Sequence, residues 1–282
     1  MTNLLTALAN ISKNPVTDLI SFYSGSNRAN NMGDALETYL KDVFCDSFGK
    51  SDQEKDEAYR QNFSYLGNLN NPPDFIIENG DAVEVKKIEN LSSALALNSS
   101  YPKRKLYADD SRITPSCINC EKNKWEKKDI IYAVGVAPKG TSKLKIIWFV
   151  YGDCYAAERS IYTRIADKIS DGIQEIPNIE LAKTNELAGV KKVDPLGITN
   201  LRVRGMWHIE NPIKVFGEFV SVDIKNEITV NAILLTDKYL SFPEEDRQKI
   251  EENNDLKIQN IEIRSPDNPA NLLAAKLISF VK

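Results

Sequence analysis

Histidine is almost missing from this chain: His208 is the sole one among 282 residues. Mechanisms built on paired imidazoles, a Ser-His-Asp relay or a histidine-rich metal cluster would all have to run through that side chain. Its nearest acid, Glu210, lies two residues away in a strand-like run, which disfavours them. Cysteine is scarce as well. Cys45, Cys117, Cys120 and Cys154 are too few and too scattered for a disulfide framework, and a reducing compartment fits. Cys117-Ile-Asn-Cys120 has zinc-knuckle spacing, but a structural zinc takes four ligands, and only the distant Cys45, Cys154 and His208 remain to complete the set. No Gly-rich loop is followed by Lys-Ser or Lys-Thr, so hydrolysis of nucleoside triphosphates has no motif. No run of about 18 apolar residues exists, and the Met1-Thr-Asn-Leu-Leu start lacks the basic and long apolar stretches of a signal peptide. A soluble cytoplasmic protein without a membrane partner is expected.

Strong positive charge is the next absence. The net charge is −4, against a protein that coats nucleic acid by bulk electrostatics. A local basic cleft stays open, because acidic residues gather at Asp52 to Glu57 and Glu244 to Asp255 and leave the remaining surface more positive than the total. With 42% hydrophobic residues the chain can bury a substantial core, as one large α/β domain or as a core with a smaller subdomain.

What is present concentrates between Pro73 and Lys86. Phe75-Ile76-Ile77-Glu78 and Ala82-Val83-Glu84-Val85-Lys86 are short β-rich runs around Asn79-Gly80-Asp81, a turn sequence whose glycine can take positive φ. A two-residue turn would mix apolar and charged residues on both faces; a three-residue loop removes the conflict. Phe75 then faces Val85 and Ile77 faces Val83, while Asp74, Ile76, Glu84 and Lys86 share the opposite face. This register predicts Asp74 across from Lys86 and diagonal to Glu84, at roughly 7–8 Å between Cα atoms. Two carboxylates and a lysine so placed suit Mg²⁺, which takes one or two carboxylates plus water and substrate phosphate, and the implied reaction is phosphodiester hydrolysis. A surface hairpin with three solvated charges is the plainer reading. Parity, turn position and apolar partners on the reverse face together favour the site.

Asn31 to Phe48 reads as an amphipathic helix with Met32, Leu36, Tyr39, Leu40, Val43 and Phe44 at helical spacing and Gly49 as its stop. Glu37 flanks that stripe, either as a further acidic group for the site or as an ordinary solvated glutamate. Asn98-Ser99-Ser100-Tyr101-Pro102-Lys103-Arg104-Lys105 is a polar, basic, turn-forming segment, readable as a phosphate-contacting or a generic surface loop. Ile130 to Val136 and Leu144 to Tyr151 read as strands of a sheet covered on both sides. The helix that follows carries Ala157, Ile161, Ile165, Ile169 and Ile173 in one stripe, read as core packing and not as a partner surface. Arg202 and Arg204 alternate with Val203, so both guanidinium groups leave one face of an extended segment. They can read guanine edges in a major groove, or hold phosphates or an internal acid. Beyond Asn211, strand-like runs at Glu227 to Leu235 and Leu256 to Arg264 flank a polar helix at Pro243 to Asn253, with no catalytic signature.

Pro73-Asp74 with Glu84-Val85-Lys86, preceded by the Glu37 helix, resembles the PD-(D/E)XK nuclease superfamily. Gly33-Asp-Ala-Leu-Glu37, Asn71-Pro-Pro-Asp74, Glu84-Val-Lys-Lys-Ile-Glu89, Asn98-Ser-Ser-Tyr-Pro102, Asp194-Pro-Leu-Gly-Ile-Thr199 and Arg202-Val-Arg-Gly-Met-Trp207 together resemble the NgoPII-like restriction endonucleases over residues 30 to 215. The resemblance implies a restriction-endonuclease-like α/β core, a mixed central sheet flanked by helices, and Mg²⁺-dependent cleavage of both strands of duplex DNA at a short palindromic G/C-rich site, GGCC for that family. It implies a bacterial or archaeal restriction–modification system with a cognate methyltransferase. Asp74, Glu84 and the Val85 carbonyl would be metal ligands, Lys86 would orient the attacking water, and Glu37 would be a secondary acid. Arg202, Arg204, Asn98, Ser99, Lys103 and Arg104 would contact DNA. A palindromic target implies a two-fold homodimer.

Residues 1–215 are expected to form the nuclease core with its DNA-reading segments, and 216–282 to complete the sheet or to dimerise. A structure-specific repair or junction nuclease of the same superfamily, a non-catalytic DNA-binding module and a protein-interaction role are the competing functions.

Overall fold

The apolar runs of the sequence meet in one large mixed sheet. The computed structural model describes residues 1–23, 31–68 and 71–282. The strand order is Phe63–Tyr65, Phe75–Ile77, Ala82–Ile88, Lys127–Val136, Ile146–Tyr151, Thr229–Leu235, Leu272–Val281 and Leu256–Arg264, with Lys105–Tyr107 paired onto Lys127–Val136. Ala82–Ile88 runs parallel to Lys127–Val136, and Ile146–Tyr151 runs parallel to Thr229–Leu235; the other neighbours are antiparallel. The C-terminal strands therefore extend the same sheet that begins with the hairpin.

Every residue of Ile146–Tyr151 is buried, as expected for a strand covered on both faces. Consecutive residues show the two layers. Phe149 meets Phe44 of the helix Met32–Cys45 edge-on at 6.4 Å, while Trp148 stacks on Phe216 at 6.1 Å. The helix starts where Asn31 accepts the N–H groups of Gly33 and Asp34, and packs Leu36, Tyr39, Leu40 and Val43 fully inside. It ends at Asp46 in the left-handed region (φ 48°), before the expected Gly49. Leu36 lies over Gly135, where an added Cβ would come within 2.5 Å of it, so the helix sits close on the sheet.

Asp42 fastens this helix layer. Its carboxylate has no exposure and accepts hydrogen bonds from Tyr23 Oη (2.8 Å), Tyr59 Oη (2.7 Å) and Ser47 Oγ (2.6 Å), and it is ion-paired to Lys55 of the helix Asp52–Asn62. A buried charge with every lone pair engaged is tolerable; one whose partner is removed is not.

One expectation fails. The isoleucine stripe of the helix Arg159–Gln174 is not core: Ile165 is 45% and Ile169 42% exposed, and no residue of the helix is buried. Its 3.6-residue period reports an amphipathic helix but not what covers it. Here the helix is tied down through Tyr162, stacked on Tyr101 and edge-on to Trp207, while Ile165 and Ile169 stay exposed.

Asp42→Ala should cost about 3–5 kcal/mol of unfolding free energy in urea, because the Lys55 ammonium stays buried without its partner. A loss no larger than that of an exposed aspartate would show that the Asp42 cluster does not hold the helix layer.

Candidate active site

The hairpin keeps the predicted parity but shifts its register by two residues. Phe75 pairs with Val83 and Ile76 with Ala82, and the loop is Glu78-Asn79-Gly80, closed by Ile77 N–H on the Asp81 carbonyl at 3.0 Å. Asn79, with φ 52°, takes the left-handed conformation expected of the glycine. Asp74 consequently lies beside Glu84, not across from Lys86. Its N–H donates to the Val83 carbonyl (3.0 Å) and its Oδ2 accepts from the Val85 N–H (2.6 Å), so the carboxylate brackets Glu84. On the apolar face Phe75 packs against Phe44 and Phe63, and Glu84 is in register with Tyr132 on the other face.

Past Val83 the strand Ala82–Ile88 has no antiparallel neighbour on this edge, which frees the Val85 N–H for Asp74. The Val85 carbonyl leaves the same edge, since a strand residue presents both groups to one side. Gly67, at φ +59°, lies so close that a Cβ there would be 2.2 Å from the Asp74 carbonyl oxygen; only glycine lets the chain pass behind the acid.

The site is electrostatically loaded. Burial, and then the charge of Glu84, push the Asp74 carboxyl well above the ordinary carboxylate range, against Lys86 and the Val85 N–H, which pull it down. Glu84 Oε1 accepts from Lys86 Nζ at 2.5 Å, while Glu84 Oε2 is buried without a hydrogen-bond partner. Burial works against the Lys86 ammonium, but Glu84, Asp74 and Glu37 outweigh it and raise its pKa, so it stays charged. Glu37 is thus near enough to be felt by both Asp74 and Lys86, although its own carboxylate is ion-paired to Lys41 at 2.6 Å.

Two adjacent carboxylates, one of them with an idle buried oxygen and the other strained by repulsion, fit a hard divalent cation. Among the described residues no group of three or more His, Cys, Asp or Glu side chains gathers around one point. A cation held by these two carboxylates would draw the rest of its shell from water, phosphate and backbone carbonyl.

These residues open into a cleft of about 540 Å³ lined by Asn71, Asp74, Glu84, Lys86, Asn98, Ser99, Arg112, Glu186, Arg204 and Met206. Arg202 and Arg204 both reach Glu186 Oε1 at 3.3 Å, and Arg112 reaches its Oε2 at 3.3 Å. Burial opposes the Glu186 charge, but Arg112, a hydrogen bond from Ser99 and Arg204 overcome it and lower its pKa. Of the two arginines, Arg204 lines the cleft and Arg202 lies on its flank.

Asn98 ends the strand Leu95–Asn98 at φ 51°, paired with Trp207, which seats the Asn98-Ser99 turn beside the reading segment. Lys103 and Arg104 do not line the cleft, although Lys103 sits behind Glu84. Lys103 is 3% exposed and ion-paired to Asp110, and Arg104 is held by Asp153 (3.2 Å), Glu158 (2.8 Å) and Asp267 (2.6 Å). The pairing of Lys105–Tyr107 with Lys127–Val136 draws this segment onto the sheet, and acids from remote parts of the chain neutralise what reads locally as a basic loop. Arg112, Glu186 and Gly67 were not singled out in the sequence. They lie in aperiodic loops and gain meaning only through tertiary contact.

The sequence profile of the NgoPII restriction endonuclease family matches residues 2–264. The type II restriction enzyme NgoPII of Neisseria gonorrhoeae is 46% identical over 278 residues, covering 99% of each chain. No solved structure matches. With a match running through both the hairpin and the reading segment, the chain belongs to the NgoPII restriction endonuclease family.

Proposed function

We propose that the protein is a Mg²⁺-dependent type II restriction endonuclease with a PD-(D/E)XK core, cutting both strands of duplex DNA at a short palindromic G/C-rich site, GGCC by the family resemblance. The observation that carries this reading is the convergence of Asp74, Glu84 and Lys86 in a cleft that also holds Arg112 and Arg204. Asp74, Glu84 and the Val85 carbonyl would hold the cation. When bound, the cation supplies Lewis-acid activation of phosphate and water. Lys86, kept cationic by three nearby acids, orients the attacking water and faces the charge that develops on the scissile phosphate. Glu37 acts as an outer acid that keeps Lys86 charged.

Arg204 reads a guanine edge, Arg202 and Arg112 hold the backbone or an adjacent base, and Asn98 and Ser99 flank them. Lys103 and Arg104 support the loop from behind. A homodimer places one site on each strand, and a cognate methyltransferase protects the host DNA. The C-terminal strands act with the nuclease core as one unit, supported by their pairing into its sheet.

Purified protein incubated with unmethylated phage DNA should give discrete fragments with Mg²⁺ and none with EDTA, and sequencing their ends should return one palindrome. Asp74→Ala and Lys86→Ala should stay folded by circular dichroism and cut at least about a hundredfold more slowly. Uncut or randomly degraded DNA, or normal cutting by either variant, would overturn the assignment. Arg204→Ala should lose about 1–3 kcal/mol of discrimination at guanine positions in competition binding; an equal loss on every sequence would make Arg204 a phosphate contact.

A further inference from the structure

Helix Arg159–Gln174 carries a row of isoleucines that the rest of the chain covers only in part, with Ile161 and Ile173 half-buried. Ile161, Ile165, Ile169 and Ile173 recur every four residues, and Ile176, just beyond the helix, extends the stripe. Ile165, Ile169 and Ile176 are all exposed. A single exposed isoleucine needs no account, but a row of them along one helix marks an interaction surface.

The flank of that stripe says what covers it. At about 100° per residue, Arg164, Lys168, Asp171 and Glu175 fall on one side of the isoleucines, the two bases in the N-terminal half and the two acids in the C-terminal half. Among the described residues none of the four has an ion-pair partner. The order is self-complementary under a two-fold axis. When two copies of the helix pack antiparallel with the axis between Ile169 and Ser170, Arg164 faces the partner's Glu175 and Lys168 faces the partner's Asp171. Parallel two-fold packing would set this flank against the opposite flank of the partner and leave the four charges without each other.

We propose that this isoleucine face is the dimer interface, occupied by the same helix of a second copy of this chain in antiparallel two-fold contact. The inference rests on the homodimeric reading above and gives it a location. It also joins assembly to recognition. Tyr162 of the same helix stacks on Tyr101 at 5.6 Å and meets Trp207 edge-on at 5.7 Å, and Trp207 follows Arg204 by three residues and pairs with Asn98. The contact that fixes the two copies relative to each other thus bears through one aromatic cluster on the segments that line both clefts.

Charge-swapped chains test this without disturbing the core. Arg164→Glu with Lys168→Glu makes the flank wholly acidic, and Asp171→Lys with Glu175→Lys makes it wholly basic. Light scattering should find the wild type at twice its 31.7 kDa chain mass, each double variant associating at least tenfold more weakly, and an equimolar mixture of the two restored in both mass and double-strand cutting. Circular dichroism should confirm that each variant is folded. A dimeric wild type with both variants equally dimeric, or a mixture no tighter than its components, would overturn the interface. A wild type that is monomeric with and without duplex DNA would instead overturn the homodimer itself, and the interface with it.

Discussion

Side-chain alternation across one short hairpin decides where the proposed chemistry sits. Phe75 and Val83 pair on the face that packs toward Phe44, and that burial obliges Asp74, Glu84 and Lys86 to the other face. A slip of one residue would turn the acids into the helix layer and the valines into the cleft, so the apolar contacts that stabilise the sheet also hold the site in place. The rest of the protein tightens this arrangement. Asp42 clamps the helix that supplies Phe44, and Gly67 lets the chain pass behind Asp74 without a side chain.

The cleft is a place of saturated charge. Lys86 is engaged by Glu84, Lys41 by Glu37, and Arg112, Arg202 and Arg204 by the single acid Glu186. This reconciles a net negative protein with a polyanionic substrate: the cations are present but each is held by a carboxylate. Under the proposed function, phosphates and base edges in the cleft would exchange with Glu186, and a divalent cation between Asp74 and Glu84 would relieve their repulsion and loosen the hold of Glu84 on Lys86. Glu186 therefore positions three arginines before any ligand arrives, which reduces the ordering that recognition would otherwise require.

The parts of this picture legible in the sequence are those governed by local periodicity. The period of two in the hairpin gave the shared face of Asp74, Glu84 and Lys86, and the period of 3.6 gave the helix that carries Phe44. What the sequence left open depends on long-range pairing. The hairpin register is two residues from the expected one because the turn is Glu78-Asn79-Gly80, with Asn79 and not Gly80 in the left-handed conformation. Lys103 and Arg104 look basic in isolation and are neutralised by Asp110, Asp153, Glu158 and Asp267. The isoleucine stripe reads as core packing and is not: its period shows an amphipathic helix, but the sequence carries no mark that this chain leaves Ile165 and Ile169 exposed. Arg202 and Arg204 both reach an internal acid, Glu186, a partner that no spacing in the sequence announces.

The account stands most directly on the claim that Asp74 and Glu84 hold one cation between them, and calorimetric titration with Mg²⁺ tests it. Wild-type protein should bind at about pH 8 and more weakly at about pH 6, because the raised Asp74 carboxyl must first lose its proton, and Asp74→Asn and Glu84→Gln should each abolish binding. Undiminished binding by either variant would contradict the claim and place the cation elsewhere.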